Sequence, residues 1–201
     1  DTLNSSIVYN NLELARSHWE RVRDEVSPEL AAIAKTLDDE QVVTLFAALE
    51  KDNKEEEEER QEALEKSEAQ RLKDRIERIQ ETISERIGDL SKEQKQIVST
   101  YAQQFISTGD AWITYRRNIQ NAARKLFVSR KQNERFEQEL VVLMQNPDNY
   151  KSDVYKQSSA HNMTVTATLL AEIFSTLSEK QRQTLIENVD ELIETVDNFM
   201  D

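Results

Sequence analysis

Between residues 111 and 135 seven cations meet a single acid. They are Arg116, Arg117, Arg124, Lys125, Arg130, Lys131 and Arg135, with Glu134 the lone carboxylate. This is the one marked charge asymmetry in a chain whose formal net charge is -13. Trp112 and Tyr115 open the run. Three residues apart, they share one side of a helix. Arginine beside aromatic rings suits two roles: core packing with internal charge neutralisation, or a docking surface for an anionic partner. In the first reading the basic segment lies along an acidic helix, such as the last, which has no Lys or Arg after Arg182. In the second, Trp112, Tyr115, Arg116, Arg117, Arg124, Lys125, Arg130 and Lys131 form a partner-binding face. Its ligand is then an acidic protein or an anionic membrane component such as phospholipid or lipopolysaccharide headgroups.

Other chemistries find little support. The only histidines, His18 and His161, fall inside helical segments, and there is no cysteine. Thiol catalysis, disulfides and thiolate metal sites are therefore excluded for this chain. With 2 glycines there is no phosphate-cradling loop and no nucleophile elbow. No Glu-x-x-His pair occurs, the spacing that di-metal bundles use. The run Glu55 to Glu59 points around the whole circumference of a helix, as a solvated face does. No cofactor and no enzymatic activity are expected. The acidic balance argues against nucleic acid.

The elements that position these residues are all helical. Only 2 Gly and 2 Pro occur, while charged residues make up 32% and hydrophobic ones 37%. Few turns and long, partly solvated helices follow. Leu37-Asp-Asp-Glu-Gln41, Leu90-Ser-Lys-Glu-Gln94 and Leu177-Ser-Glu-Lys-Gln181 repeat one phrase. Asp38, Ser91 and Ser178 suit N-caps, and each Gln lies three residues on, where its amide can reach back to the cap.

A first helix is expected over residues 3–26, with Ile7, Leu14, Trp19, Val22 and Val26 towards one face. Ser27-Pro28 reads as a helix restart. From Asp38 the pattern continues to Gly88. A single helix of that extent would be roughly 75 Å long at the standard rise per residue. Its stretch 50–71 is so charged that it reads as a solvated helix or a flexible arm. Helices over 92–107, from Ala111 to about Gln145, and from Ser152 to Phe174 follow. The last starts at Ser178, with Leu185, Val189, Leu192, Val196 and Phe199 at heptad spacing. That seam closes within the chain or against a second copy. The expected fold is all-α: one domain over 1–201, an elongated antiparallel bundle of about six or seven helices with one long, charged member.

The order of these motifs points further. A Trp19-x-Arg21-x-Arg23 helix, a Ser-Pro-Glu-Leu restart, the Leu-Asp-Asp-Glu-Gln phrase and a glutamate-rich helix come first. Leu-Ser-Lys-Glu-Gln, Gly109-Asp-Ala-Trp-Ile-Thr-Tyr-Arg-Arg117 and a closing Leu-Ser-Glu-Lys-Gln helix follow. This resembles an uncharacterised family of proteobacterial envelope lipoproteins, from about Tyr9 to the end of the chain. The resemblance implies a periplasmic protein held at the outer membrane by a lipid anchor, whose signal and lipidated cysteine are not in this chain. It implies no activity. The Leu-x-x-x-Gln phrases are also similar to those of periplasmic stress chaperones of the Leu-Thr-x-x-Gln type, which implies a holdase binding unfolded proteins as the alternative function.

Overall fold

The computed structural model describes residues 4–200, excepting the side chains of 192 and 195–200. Among the described residues it is all-α, without strands. The helices are α1 (Ser5–Thr36), α2 (Asp39–Glu65), α3 (Glu68–Ile87), α4 (Lys92–Ala102), α5 (Gly109–Ser129), α6 (Phe136–Gln145), α7 (Asp153–Ser175) and α8 (Glu179–Met200), with a 3-10 turn at Pro147–Tyr150. Where a single domain is expected, the chain divides into two compact units. One takes in Asp1–Asn10, Lys66–Phe105 and His161–Asp201; the other takes in Asn11–Glu65 and Ile106–Ala160.

The first unit is organised by two of the repeated phrases. Leu90 and Leu177 are buried in one core with Ile83 and Ile87 of α3, Val98 of α4, and Leu169 and Ile173 of α7. Ser91 caps α4: its Oγ accepts from the Gln94 N–H at 3.1 Å, and Gln94 Oε1 accepts from the Ser91 N–H at 2.9 Å. Ser178 and Gln181 repeat that box at the start of α8, at 3.3 and 3.0 Å. The two boxes then join. Each glutamine donates its Nε2 to the other's Oε1 at 3.0 Å. The second Nε2 hydrogen of Gln181 reaches the Asp89 carbonyl at 2.9 Å. Gln94 is wholly buried, at 0% exposure. An unmade bond there would leave a desolvated amide.

Gly88 ends α3 at φ 83° and ψ -166°, a region closed to side chains. A Cβ there would meet nothing within 4 Å, so the backbone alone demands glycine. Arg75 closes the other end of this hairpin. Its guanidinium donates to the carbonyls of Ala102 and Phe105, both at 3.0 Å, and α4 stops at Ala102 rather than 107.

The second unit departs from the sequence reading in three places. First, α1 runs straight through Ser27-Pro28. Pro28 has no N–H to offer the carbonyl four residues back, that of Asp24. The side-chain amide of Gln145 takes that place, donating to the Asp24 carbonyl at 3.1 Å, and the helix survives. Second, the expected helix from Asp38 to Gly88 is two: α2 ends at Glu65, and Ser67 caps α3 by accepting from the Gln70 N–H at 3.2 Å. Third, the helix expected from Ala111 to Gln145 breaks at residues 130–135. The break lets Phe136 turn back edge-on to Phe127 at 5.3 Å, while Phe46 also packs edge-on to Phe127 at 5.4 Å. These rings, with Ala31 and Leu140, form the core of this unit. Leu37 and Val42 pack against it, as a hydrophobic staple at the first phrase requires.

Gln94→Ala should cost about 3 kcal/mol in chemical denaturation, because it strands the Gln181 amide as well as the Ser91 N–H. Gln94→Ala combined with Gln181→Ala should cost less than the two singles together. Gln41→Ala, in the exposed box at Asp38, should cost only about 1 kcal/mol. For Gly88→Ala we expect a loss of about 1–3 kcal/mol by the same assay, from backbone strain alone.

Candidate functional site

α2 and α5 pack antiparallel, and their contact is largely ionic. Arg60 holds both carboxylate oxygens of Asp110 at 2.7 Å. This is a bidentate fork, which fixes geometry as well as charge. One turn on, Glu56 accepts from the Trp112 indole N–H at 3.1 Å and from the Arg116 guanidinium. Arg117 bridges Glu57, at 2.8 Å, and Glu50. Between these pairs Asn53, 4% exposed, donates its amide to Gln120. The stretch 50–65 is therefore a packed helix, not a free arm. Its glutamates do circle the helix, and the subset facing α5 meets arginines.

Carboxylates near the other end of this contact are also engaged. Arg130, almost fully buried, donates to the carbonyls of Leu37 and Phe127 at 3.3 and 3.1 Å and to the Asp39 carboxylate. Lys131 takes the second Asp39 oxygen at 2.7 Å. Tyr115 lies 5.5 Å from the Trp112 ring and 6.0 Å from that of Tyr155. The Lys151 ammonium sits over Tyr115 and Tyr155, at 5.5 and 5.8 Å, and pairs with Asp148 at 2.7 Å. Burial raises the Tyr115 phenol above its ordinary value.

The eight residues expected to form one docking face thus separate. Trp112, Arg116 and Arg117 serve the α2 pairing, Tyr115 the aromatic cluster, and Arg130 and Lys131 the turn against Asp39. The acidic helix beside the basic one is α2; α8 packs on α3 in the first unit. Arg124 lies over the Phe46 ring at 4.8 Å, its guanidinium otherwise exposed. Lys125 is exposed and, among the described residues, has no carboxylate within ion-pair reach.

Sequence reasoning missed what Lys125 borders. A groove of about 470 Å³ runs between α5, α6 and the 3-10 turn. Ala122, Leu126, Val142 and Leu143 line its apolar part, Tyr150 one wall, and Lys125 and Arg135 add two cations. The signal is present as the pair Lys125 and Arg135 with an apolar run at 140–143, but no residue pattern announces the break at 130–135 that folds them together. The apolar face of α1 also lies elsewhere than its periodicity suggests. Trp19, Val22, Val26, Leu30 and Ile33 keep spacings of three and four yet point to solvent, Trp19 being 71% exposed. Leu192, Val196 and Phe199 of the expected heptad seam lie outside the residues whose side chains are described.

Among the described residues no three His, Cys, Asp or Glu side chains are placed to hold a metal ion. Nor is any described helix long and apolar enough to cross a membrane. His161 Nε2 lies 2.9 Å from the Gln104 carbonyl, and His18 is exposed.

The ion pairs make this unit acid-sensitive. Lys131, and then Arg130, lower the Asp39 carboxyl; Arg117 lowers Glu57; Arg60 lowers Asp110. Each folded-state value lies below its ordinary one (3.8, 4.5 and 3.8). Each contribution is therefore complete above that ordinary value and lost as pH falls through the folded one. The melting temperature should fall as pH drops below about 4.5, and more steeply at low salt. Asp39→Asn should flatten that fall while lowering the melting temperature at neutral pH; an unchanged acid slope in thermal melts would count against the Asp39 pairs.

A family model matches residues 7–156, described as a family of unknown function, DUF6279. No curated protein and no solved structure matches the chain. The matched segment contains α2, α5 and both sides of their ionic contact, and stops before the third Leu-x-x-x-Gln phrase and α8. On that match over most of its length, the chain belongs to DUF6279, a family of unknown function.

Proposed function

We propose that this chain is a non-catalytic helical interaction module of the bacterial envelope, a periplasmic lipoprotein held at the outer membrane by an anchor outside this chain. Its partner is anionic and docks on the basic end of α5. The observation carrying this reading is the separation of the cations into two groups. Arg116, Arg117, Arg130 and Lys131 are neutralised by Glu56, Glu50, Glu57 and Asp39. Arg124, Lys125 and Arg135 face solvent without carboxylate partners among the described residues, on a molecule that is otherwise strongly acidic. A local positive edge on an acidic protein selects anionic partners and repels copies of itself over the rest of its surface. The envelope location rests on the motif order alone.

The exposed stripe of α1 favours a second reading, a holdase. Five large apolar side chains lie on one helix face. They form the kind of contiguous surface that unfolded chains bind.

Cross-linking capture from envelope extract separates the two. The wild-type chain is compared with Arg124→Glu/Lys125→Glu, and with Val22→Ser/Leu30→Ser. The docking reading expects a discrete partner lost in the charge variant and at about 1 M salt, where the screening length is about 3 Å. A broad set of clients, indifferent to salt and lost only in the α1 variant, would replace docking with the holdase.

A further inference from the structure

We infer that the groove between α5 and α6 is a binding site for a single-chain amphiphile with an anionic head, such as a long-chain carboxylate. This rests on the docking reading above and gives its anionic partner a chemical class. The groove is open to solvent along its length and offers about 470 Å³. Sites for small molecules run from roughly 300 to roughly 1000 Å³. Its lining is two-part. Leu126 and Ala122 line it from α5, and Leu143 and Val142 face them from α6. Four residues apart, Ala122 and Leu126 lie one turn from each other on the same helix face. Val142 is 59% exposed, whereas Phe136, Leu140, Val141 and Met144 of α6 pack in the Phe136–Leu140 core. Tyr150 stands at one wall, apolar in its ring and polar at its tip.

Two cations border this apolar trough. Lys125 and Arg135 are both exposed, and neither has a carboxylate within ion-pair reach among the described residues. The one acid in the lining, Glu139, accepts from the neutral Asn133 amide at 2.9 Å and keeps its charge, so two cations against one carboxylate leave the lining with a net charge of +1. The groove therefore presents apolar surface with net positive charge beside it. Charge complementarity selects an anionic head, and the trough selects an alkyl tail. An inorganic anion would leave Leu126 and Val142 in water; a neutral detergent would leave the cations unpaired.

The test is isothermal titration of the full chain, below the critical micelle concentration, with three probes: dodecanoate, acetate and dodecyl maltoside. The variants are Lys125→Glu/Arg135→Glu at the rim and Val142→Asp in the trough. All three positions are exposed, and thermal melts verify that each variant folds. Saturable binding of one dodecanoate per chain is expected, at least about tenfold tighter than dodecyl maltoside, with acetate silent. Each variant should weaken it by about tenfold or more. Dodecanoate binding that survives both variants, or no saturable binding at all, overturns the proposal. A wild-type chain that ignores dodecanoate yet captures a discrete, salt-sensitive partner sinks only the amphiphile. A chain that does neither sinks the docking reading with it.

Discussion

The glutamate-rich half of α2 has no apolar face to bury, and everything in the second unit follows from how that is resolved. A helix polar on all sides folds stably only where its charges find fixed partners. α5 supplies them in register. Asp110 meets Arg60, Arg116 meets Glu56, Arg117 spans Glu50 and Glu57, and Gln120 meets Asn53 before the contact turns apolar at Phe46 and Phe127. The direct pairs lie near the surface, and each contributes little alone. As a row they define one alignment, because sliding α5 by a turn would bring Glu56 and Glu57 away from the arginines and Phe127 away from Phe46. The apolar end supplies most of the stabilisation and the ionic end the register.

The first unit solves a similar shortage by a different device. Two helix starts, α4 and α8, are tied through their capping glutamines. A motif that usually serves one helix end thus serves two. Each Gln94 and Gln181 oxygen accepts both from its own cap's N–H and from the opposite amide. A buried polar network of this kind stabilises only when every member is satisfied. It also explains why the first phrase, Leu37 to Gln41, behaves differently. Its box is intact, with bonds of 2.9 and 2.8 Å, but it has no partner box and remains at the surface.

Helix type and most helix starts are legible in the sequence, because caps and turn residues act locally. Asp38, Ser91, Ser152 and Ser178 cap as expected, and Gly88 ends its helix. The break between α2 and α3 comes from a local cap at Ser67, whereas the other two departures turn on tertiary contacts. Pro28 looks like a restart until Gln145 satisfies the carbonyl it orphans. The segment after Phe127 looks helical until the Phe136 ring is needed in the core. The basic run is visible as charge, but whether a given arginine is free or engaged depends on which acid faces it. In the stripe of α1, spacing puts Trp19, Val22 and Val26 on one face. Periodicity alone does not say whether that face is inside.

Both units are interleaved along the chain, and this has a consequence for biosynthesis. As the polypeptide leaves the ribosome, Arg60, Glu56 and Glu57 of α2 emerge 50 to 60 residues before Asp110, Arg116 and Arg117, so the charged segment waits without these partners. The capping box at Ser91 waits longer still for its partner, since Gln94 and Gln181 are 87 residues apart. Neither unit can close on a nascent chain until much of the other has been made. Such long-range closure favours slow, late folding. A polypeptide of this kind gains from being acidic, because mutual repulsion keeps unfinished copies from associating while they wait.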